Sequence, residues 1–407
     1  MDKKPYLKAA ADLAGQQGEE GGCALYNIGD IMYAEGKDVR PGRILDLPIS
    51  RLNSLRRAAF KDVIAESKDK KNMIVNTHAT FRWRHGLFAA FDYDQIAALK
   101  PDLFICLVDN IEVVHHRLHR DFDIDATLKD CMVWREEEIL ATELIAQASA
   151  AANGGGGGGG GAGGGSSFYI VSRGRHVPTT KTLFRLVCRP TMKKVYPSFP
   201  MSHVVDMPDV LKEIDDFRAA LAEHFITFDP GDVDEKLLLD RAVAKAQEGK
   251  VDEWLDVTPH TFGGSMGGGA LGGVALSRTG TGAESRGTGE KPLRVRVREV
   301  LDIAGDIDGQ IYMRDFKLID QSDMIVSLIP ELPGRDGKDI PGLSSGVERE
   351  LQHAWEHTKE VYVVWKPKKN PSPFITETAT RIFRSVPEAL EHFEKAGMFG
   401  EKNLFGH

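Results

Sequence analysis

Short apolar runs alternate with segments whose apolar residues recur every three or four positions, and the alternation continues along most of the chain. Met73–Asn76 and Leu103–Val108 are apolar runs of strand length, flanked by amphipathic stretches over 50–67 and 111–120 that read as helices. This is the pattern of βαβ units. Phe168–Val171 predicts a further strand and Thr180–Cys188 a closing helix, so a first domain is expected over 1–190. A second series follows over 191–398. Its strands are read at 194–196, 225–228, 324–329 and 361–365, and its helices at 207–224, 234–248 and 346–357. Both halves are therefore predicted to be α/β, two doubly wound parallel-sheet, Rossmann-like domains.

Two stretches break the pattern. From Gly154 to Gly165 eleven of twelve residues are glycine, which can bury nothing, so 153–167 is expected to be a disordered loop. The Gly-, Ser- and Thr-rich stretch over 260–291 is read as a second disordered insertion. Composition then narrows the class. A chain of 407 residues favours two domains, and 42% hydrophobic with 28% charged residues is the balance of a globular protein. With 52 Lys+Arg against 60 Asp+Glu, the net charge of −8 supplies no overall positive field for nucleic acid or an anionic membrane. No apolar run approaches the ~20 residues of a membrane span, and the polar start has no signal-peptide core, so a cytoplasmic location is expected. Cys23, Cys106, Cys131 and Cys188 are widely spaced and read as reduced thiols. His203, His353 and His357 show no ligand spacing with cysteine or carboxylate, and no metal is predicted.

In the first half, Ala24–Asp30, Ile74–Thr80 and Leu99–Val108 are followed by His115-His-Arg-Leu-His-Arg-Asp121. In order and spacing these segments resemble the archaeal-type adenylate kinases, over about residues 5 to 150. The resemblance implies a P-loop kinase fold and makes Arg117 and Arg120 the cations of phosphoryl transfer, a reaction that consists mostly of positioning and charge neutralisation. Such kinases need a Gly-rich loop ending in GK[ST] to cradle phosphates and hold Mg²⁺. That loop is not found here, so the domain is expected to be incomplete. ATP and Mg²⁺ are cofactors only if a P-loop lies upstream, and the alternative function is then a nucleoside monophosphate kinase; a non-catalytic nucleotide sensor is the other.

In the second half, Ile311–Ser327 is followed by Ser344-Ser-Gly-Val-Glu-Arg-Glu-Leu-Gln-His-Ala354, and Lys194–Met201 precedes both. Together these resemble the nucleoside 2-deoxyribosyltransferase superfamily over roughly residues 193 to 385. By that resemblance Glu350 is the carboxylate that faces C1′ of the sugar, Asp323 the acid that protonates the departing base, and Gly346 part of the helix-opening turn. The chemistry requires such groups, because breaking an N-glycosidic bond passes through an oxocarbenium-like state that a carboxylate stabilises or traps. Where the transferases carry an aspartate this chain has Ser344, as do the related 2′-deoxynucleoside 5′-phosphate N-hydrolases. Losing that charge favours a nucleotide substrate with a 5′-phosphate. Ser198 is expected to be a second phosphate hydroxyl, Arg314 a nearby cation and Tyr196 a sugar contact by stacking or hydrogen bonding. The reading is of cleavage or transfer of the glycosidic bond of a (deoxy)nucleoside 5′-monophosphate, with no cofactor in that domain. The implied partners are a small nucleotide and, by resemblance, a second copy in a homodimer.

Overall fold

The computed structural model describes residues 3–19, 21–40, 42–83, 86–122, 124–152, 167–173, 177–201, 204–257, 293–334 and 338–400. The expected disorder over the polyglycine tract and over 260–291 lies outside the described residues, as does His203. The chain forms two compact units. One comprises Met1–Val108, Arg117–Val171 and Thr180–Pro190, and the other Asp109–His116, Ser172–Thr179 and Thr191–His407. Among the described residues, no helix is long and apolar enough to cross a membrane.

The first unit is α/β. Helix α1 (Lys4–Gln16) precedes β1 (Ala24–Asn27), α2 (Ile49–Ser67) and β2 (Met73–Asn76), and the two strands pair in parallel with Leu25 opposite Ile74. Strand β3 (Leu103–Val108) pairs with β4 (Ser167–Ser172). Helix α4 (Leu128–Ala152) and the later turns of α3 (Ile111–Phe122) and α5 (Val177–Cys188) complete the series; the first residues of α3 and α5 belong to the second unit. Leu52, Ala59, Phe60 and Val63 of α2 recur at helical spacing and are all buried, so this face closes the core together with Phe81 and Ile96.

The second unit is built on a five-stranded sheet. Its strands are β5 (Lys194–Ser198), β6 (Ile226–Thr227), β7 (Met324–Ile329), β8 (Glu360–Trp365) and β9 (Arg381–Phe383), in the order β9-β8-β7-β5-β6. Every neighbouring pair is parallel. Helix α6 (Pro208–His224) joins β5 to β6, and α7 (Lys236–Gln247) and α8 (Ala304–Asp320) follow before β7. Helix α9 (Ser345–Glu356) joins β7 to β8, and α10 (Val386–Lys395) follows β9. All six residues of β7 are buried, and five of them are apolar, with Ser327 the exception: a central parallel strand is covered on both faces. Val195, Phe217, Phe225, Val326, Val364 and Phe393 lie in one buried cluster around it.

This order creates a particular location. From β5 the chain steps to one side to make β6 and to the other to make β7, so the β5–β7 boundary is where the winding reverses. Open parallel sheets bind ligands outside the carboxyl ends of their strands at such a point. Ser198, the last residue of β5, pairs there with Ser327 of β7.

Candidate active site

Helix α9 delivers the principal acid. Ser344 caps it, its hydroxyl accepting from Val347 N at 3.2 Å, and Val347, Leu351 and Ala354 form the buried stripe. Glu350 falls within that stripe, three residues after Val347, and so faces the sheet. The Tyr196 hydroxyl donates to Glu350 Oε1 at 3.1 Å and the Ser198 hydroxyl to Oε2 at 2.6 Å. Ser198 is held in turn by Ser327, whose hydroxyl donates to it at 3.3 Å. Tyr196, Ser198 and Ser327 are each 0% exposed. Burial pushes the Glu350 carboxyl above its ordinary range, opposed by the two hydroxyl hydrogen bonds.

A second acid stands beside it. Helix α8 buries Ile307, Arg314, Leu318 and Ile319, and Asp315 lies at the edge of that face. Burial pushes Asp315 up to about 8; Arg314 opposes the shift, and the charges of Glu350, Asp234 and Glu235 add to it. Asp315 Oδ1 is buried, has no hydrogen-bond partner among the described residues, and lies 3.8 Å from Arg314 Nε. A carboxyl in this state keeps its proton at neutral pH and can give it up to something that enters. Arg314 Nη1 lies 3.5 Å from Glu235 Oε2, and Glu235 also receives the Ile111 N–H at 3.3 Å.

These positions correct several expectations. Asp323 does not join Glu350: its carboxylate accepts from Lys194 N at 2.8 Å, and its own N–H donates to Lys194 O at 2.8 Å. Lys194 opens β5 whereas Ser198 ends it, about 13 Å further along at the rise of an extended strand. Asp323 is thus an exposed residue that fixes the start of two strands. Ser198 is not a phosphate hydroxyl, because its proton is committed to Glu350. Arg314 is buried in a pair with Glu235 and is no cation for phosphate. Tyr196 is wholly buried and has no face for stacking; its hydroxyl holds the acid. Ser344 and Gly346 do open α9 as expected, and a methyl at Gly346 would meet only Ser344 Oγ at 3.7 Å, so the fold itself does not demand glycine there.

Asp315 and Ser327 were not picked out from the sequence. The signal for Asp315 is its position: Ile307, Arg314 and Leu318 share one helical face, and two charged residues in such a stripe are buried or partnered.

The first unit has its own polar cluster, also unforeseen. Glu138, on α4, accepts from Ala79 N and Thr80 N at 2.9 Å each and from Thr80 Oγ1 at 3.2 Å. Its other oxygen lies 2.5 Å from His78 Nδ1. Lys3 donates to Thr77 O at 2.6 Å. Burial works to raise Glu138, but His78, Lys3 and the backbone N–H of Thr80 outweigh it and hold the carboxyl below its ordinary range. The charge of Lys3, together with burial, holds His78 down at about 4. Arg117 is half-buried and Arg120 exposed, three residues apart on one face of α3.

Residues 9–129 match the family model of the AAA domain, a P-loop NTPase-like family of kinase type. The match supports the kinase-like reading of the first unit and does not reach the five-stranded sheet that begins at Lys194. No curated protein matches the chain.

Proposed function

We propose that the chain is a nucleotide-handling enzyme whose second unit breaks the N-glycosidic bond of a (deoxy)nucleoside 5′-monophosphate, by hydrolysis or by transfer. One observation carries this reading: a carboxylate gripped on both oxygens by Tyr196 and Ser198 at the point where the sheet reverses, beside a second carboxyl that keeps its proton. Glu350, ionised, attacks C1′ and forms an ester as the C1′–N bond breaks. The Asp315 proton passes to the departing base, so the base leaves neutral. Water, or a second base, then attacks C1′ and returns the Glu350 carboxylate, while Asp315 recovers its proton. Ser344, Ser345 and Gly346 open α9, and the free N–H groups of that turn suit a 5′-phosphate. Incubating the protein with deoxynucleoside 5′-monophosphates and the matching nucleosides, and measuring free base, tests the proposal. Base release from the monophosphates with Glu350 intact supports it; no release from any of them rejects it.

A second reading rests on the family match: the first unit is a nucleoside monophosphate kinase-type unit in which Arg117 and Arg120 face the transferring phosphoryl group. The described residues 3–19 contain no glycine-rich cradle, Lys3 is spent on Thr77 O, and the ionised Glu138 lies against His78 beside it. ATP does not fit these residues, so the reading draws on the match alone. Formation of ADP from ATP and AMP, lost in Arg117→Ala, supports it; no ADP under any nucleotide pair removes it.

A further inference from the structure

Helices α8 and α9 end at one place. Asp320 is the last residue of α8, and His353 and His357 stand four apart at the end of α9, so both project from the same face of that helix. One ligand atom from each of the three lies within 4.8 Å of the other two. His353 Nε2 is 2.7 Å from Asp320 Oδ1, and the two imidazole rings are 4.0 Å apart. We propose that Asp320, His353 and His357 form a binding site for a divalent first-row transition-metal ion of the zinc class.

Three features carry the proposal. The donor set of two imidazoles and one carboxylate is the one such ions take, with solvent supplying the fourth position. The second imidazole is already set in the right tautomer: His357 Nδ1 lies 2.8 Å from the carbonyl of His353, which can only accept, so Nδ1 carries the proton and Nε2 keeps its lone pair. The backbone field has the right sign as well. Two helices present their carboxyl ends here, each with a negative partial charge, and an aspartate at such an end is unfavourable until a cation joins it.

The atoms need little movement. Tetrahedral donors around a metal with bonds of about 2.1 Å stand about 3.4 Å apart, and Asp320 and His357 are exposed side chains able to close by rotation. His353 gives up the Nε2 proton it shares with Asp320, to its own Nδ1 or to solvent, and the metal takes that place. Lys359 is the opposing charge nearby. Its ammonium donates to the carbonyls of Asp320 and Ser322, at 2.6 and 2.7 Å, which pins the end of α8, and it acts on the Asp320 carboxylate through its charge. The sequence gives no hint of the carboxylate, because Asp320 lies 33 residues before His353 and only the packing of α8 on α9 joins them. A bound ion would tie together the helices that carry Asp315 and Glu350.

Equilibrium dialysis of the full, tag-free chain against Zn²⁺, with Co²⁺ absorption as the coordination readout, tests the site. One equivalent is expected at micromolar affinity, falling at least tenfold in His357→Ala and in Asp320→Asn, two exposed positions whose variants should keep the wild-type circular dichroism. Cys23→Ser/Cys188→Ser should bind as the wild type does. No ion retained at about 100 µM free zinc overturns the proposal, as does binding unchanged in His357→Ala or lost only in the cysteine variant.

Discussion

Glu138 and Glu350 are both glutamates on helices, both largely withdrawn from water and both hydrogen-bonded on each oxygen, yet their protons behave oppositely. Glu138 has two backbone N–H donors, a threonine hydroxyl, a histidine and a nearby ammonium, enough to overcome burial and fix it as an anion. Glu350 has only two neutral hydroxyls, and burial prevails. The number and charge of the donors, rather than burial alone, decide whether an enclosed carboxylate is a structural anion or one poised to change its state. The neighbours follow suit: His78 is driven down to about 4 and Asp315 up to about 8.

The comparison is broken most sharply at Glu350. Glu350→Gln should lower base release by about 10³-fold or more, since it removes the group proposed to bond to C1′, while leaving the fold at least as stable at pH 8 because a buried charge is gone. Rates and thermal unfolding of the same sample check both. A large loss of stability would mean the residue is structural, like Glu138. Asp315→Asn should cost about 10²-fold and also alter the pH profile. The wild-type rate should rise as Glu350 ionises above the ordinary carboxylate range and fall as Asp315 loses its proton near pH 8; the asparagine variant should lack that alkaline fall.

Tyr196→Phe sharpens the role of the donors. Its hydroxyl helps hold the Glu350 carboxyl down, so the variant should lose about tenfold and its acid limb should move to higher pH. An unshifted limb would show that Tyr196 only fills space. The smallest effect on base release belongs to Glu138→Gln, which should leave it unchanged yet cost about 2–3 kcal/mol of stability in the first unit by leaving buried donors unpaired.

Acid should act similarly on that unit. His78 falls from 6.5 to about 4 in the fold, so its contribution is complete above pH 6.5 and is lost as the pH drops from there towards 4; Glu138, also depressed, adds its own loss below its ordinary range. The second unit has the opposite sign. Asp315 is raised from 3.8 to about 8, so its contribution is present at low pH and is lost as the pH climbs through 8. Unfolding followed from pH 4 to 9 should therefore show the two units weakening at opposite ends.

The alternation of apolar runs and amphipathic segments made the α/β class legible, because buried parallel strands such as β7 and β8 are predominantly apolar. The turn that opens the helix of Glu350 was legible too, through the motif around Ser344 and Gly346. The acid on which the charge of Glu350 acts was not. Asp323 precedes a strand, as a ligand-binding acid would, but in a parallel sheet the residue before a strand sits at the amino end, away from the crevice; its two bonds to Lys194 hold it there. Asp315 was not singled out, and only the packing of α8 against β5 and α9 turns it inward. Ser198 and Arg314 were assigned to a phosphate by residue type alone, while their hydrogen bonds commit them to Glu350 and Glu235.

The most direct measurement is peptide mass spectrometry on full-length protein acid-quenched while turning over a deoxynucleoside 5′-monophosphate. An ester of deoxyribose 5-phosphate on the Glu350 side chain, formed together with free base, is the predicted result. Free base accumulating while every Glu350-containing peptide stays unmodified, in samples quenched before the first turnover is complete, would contradict it.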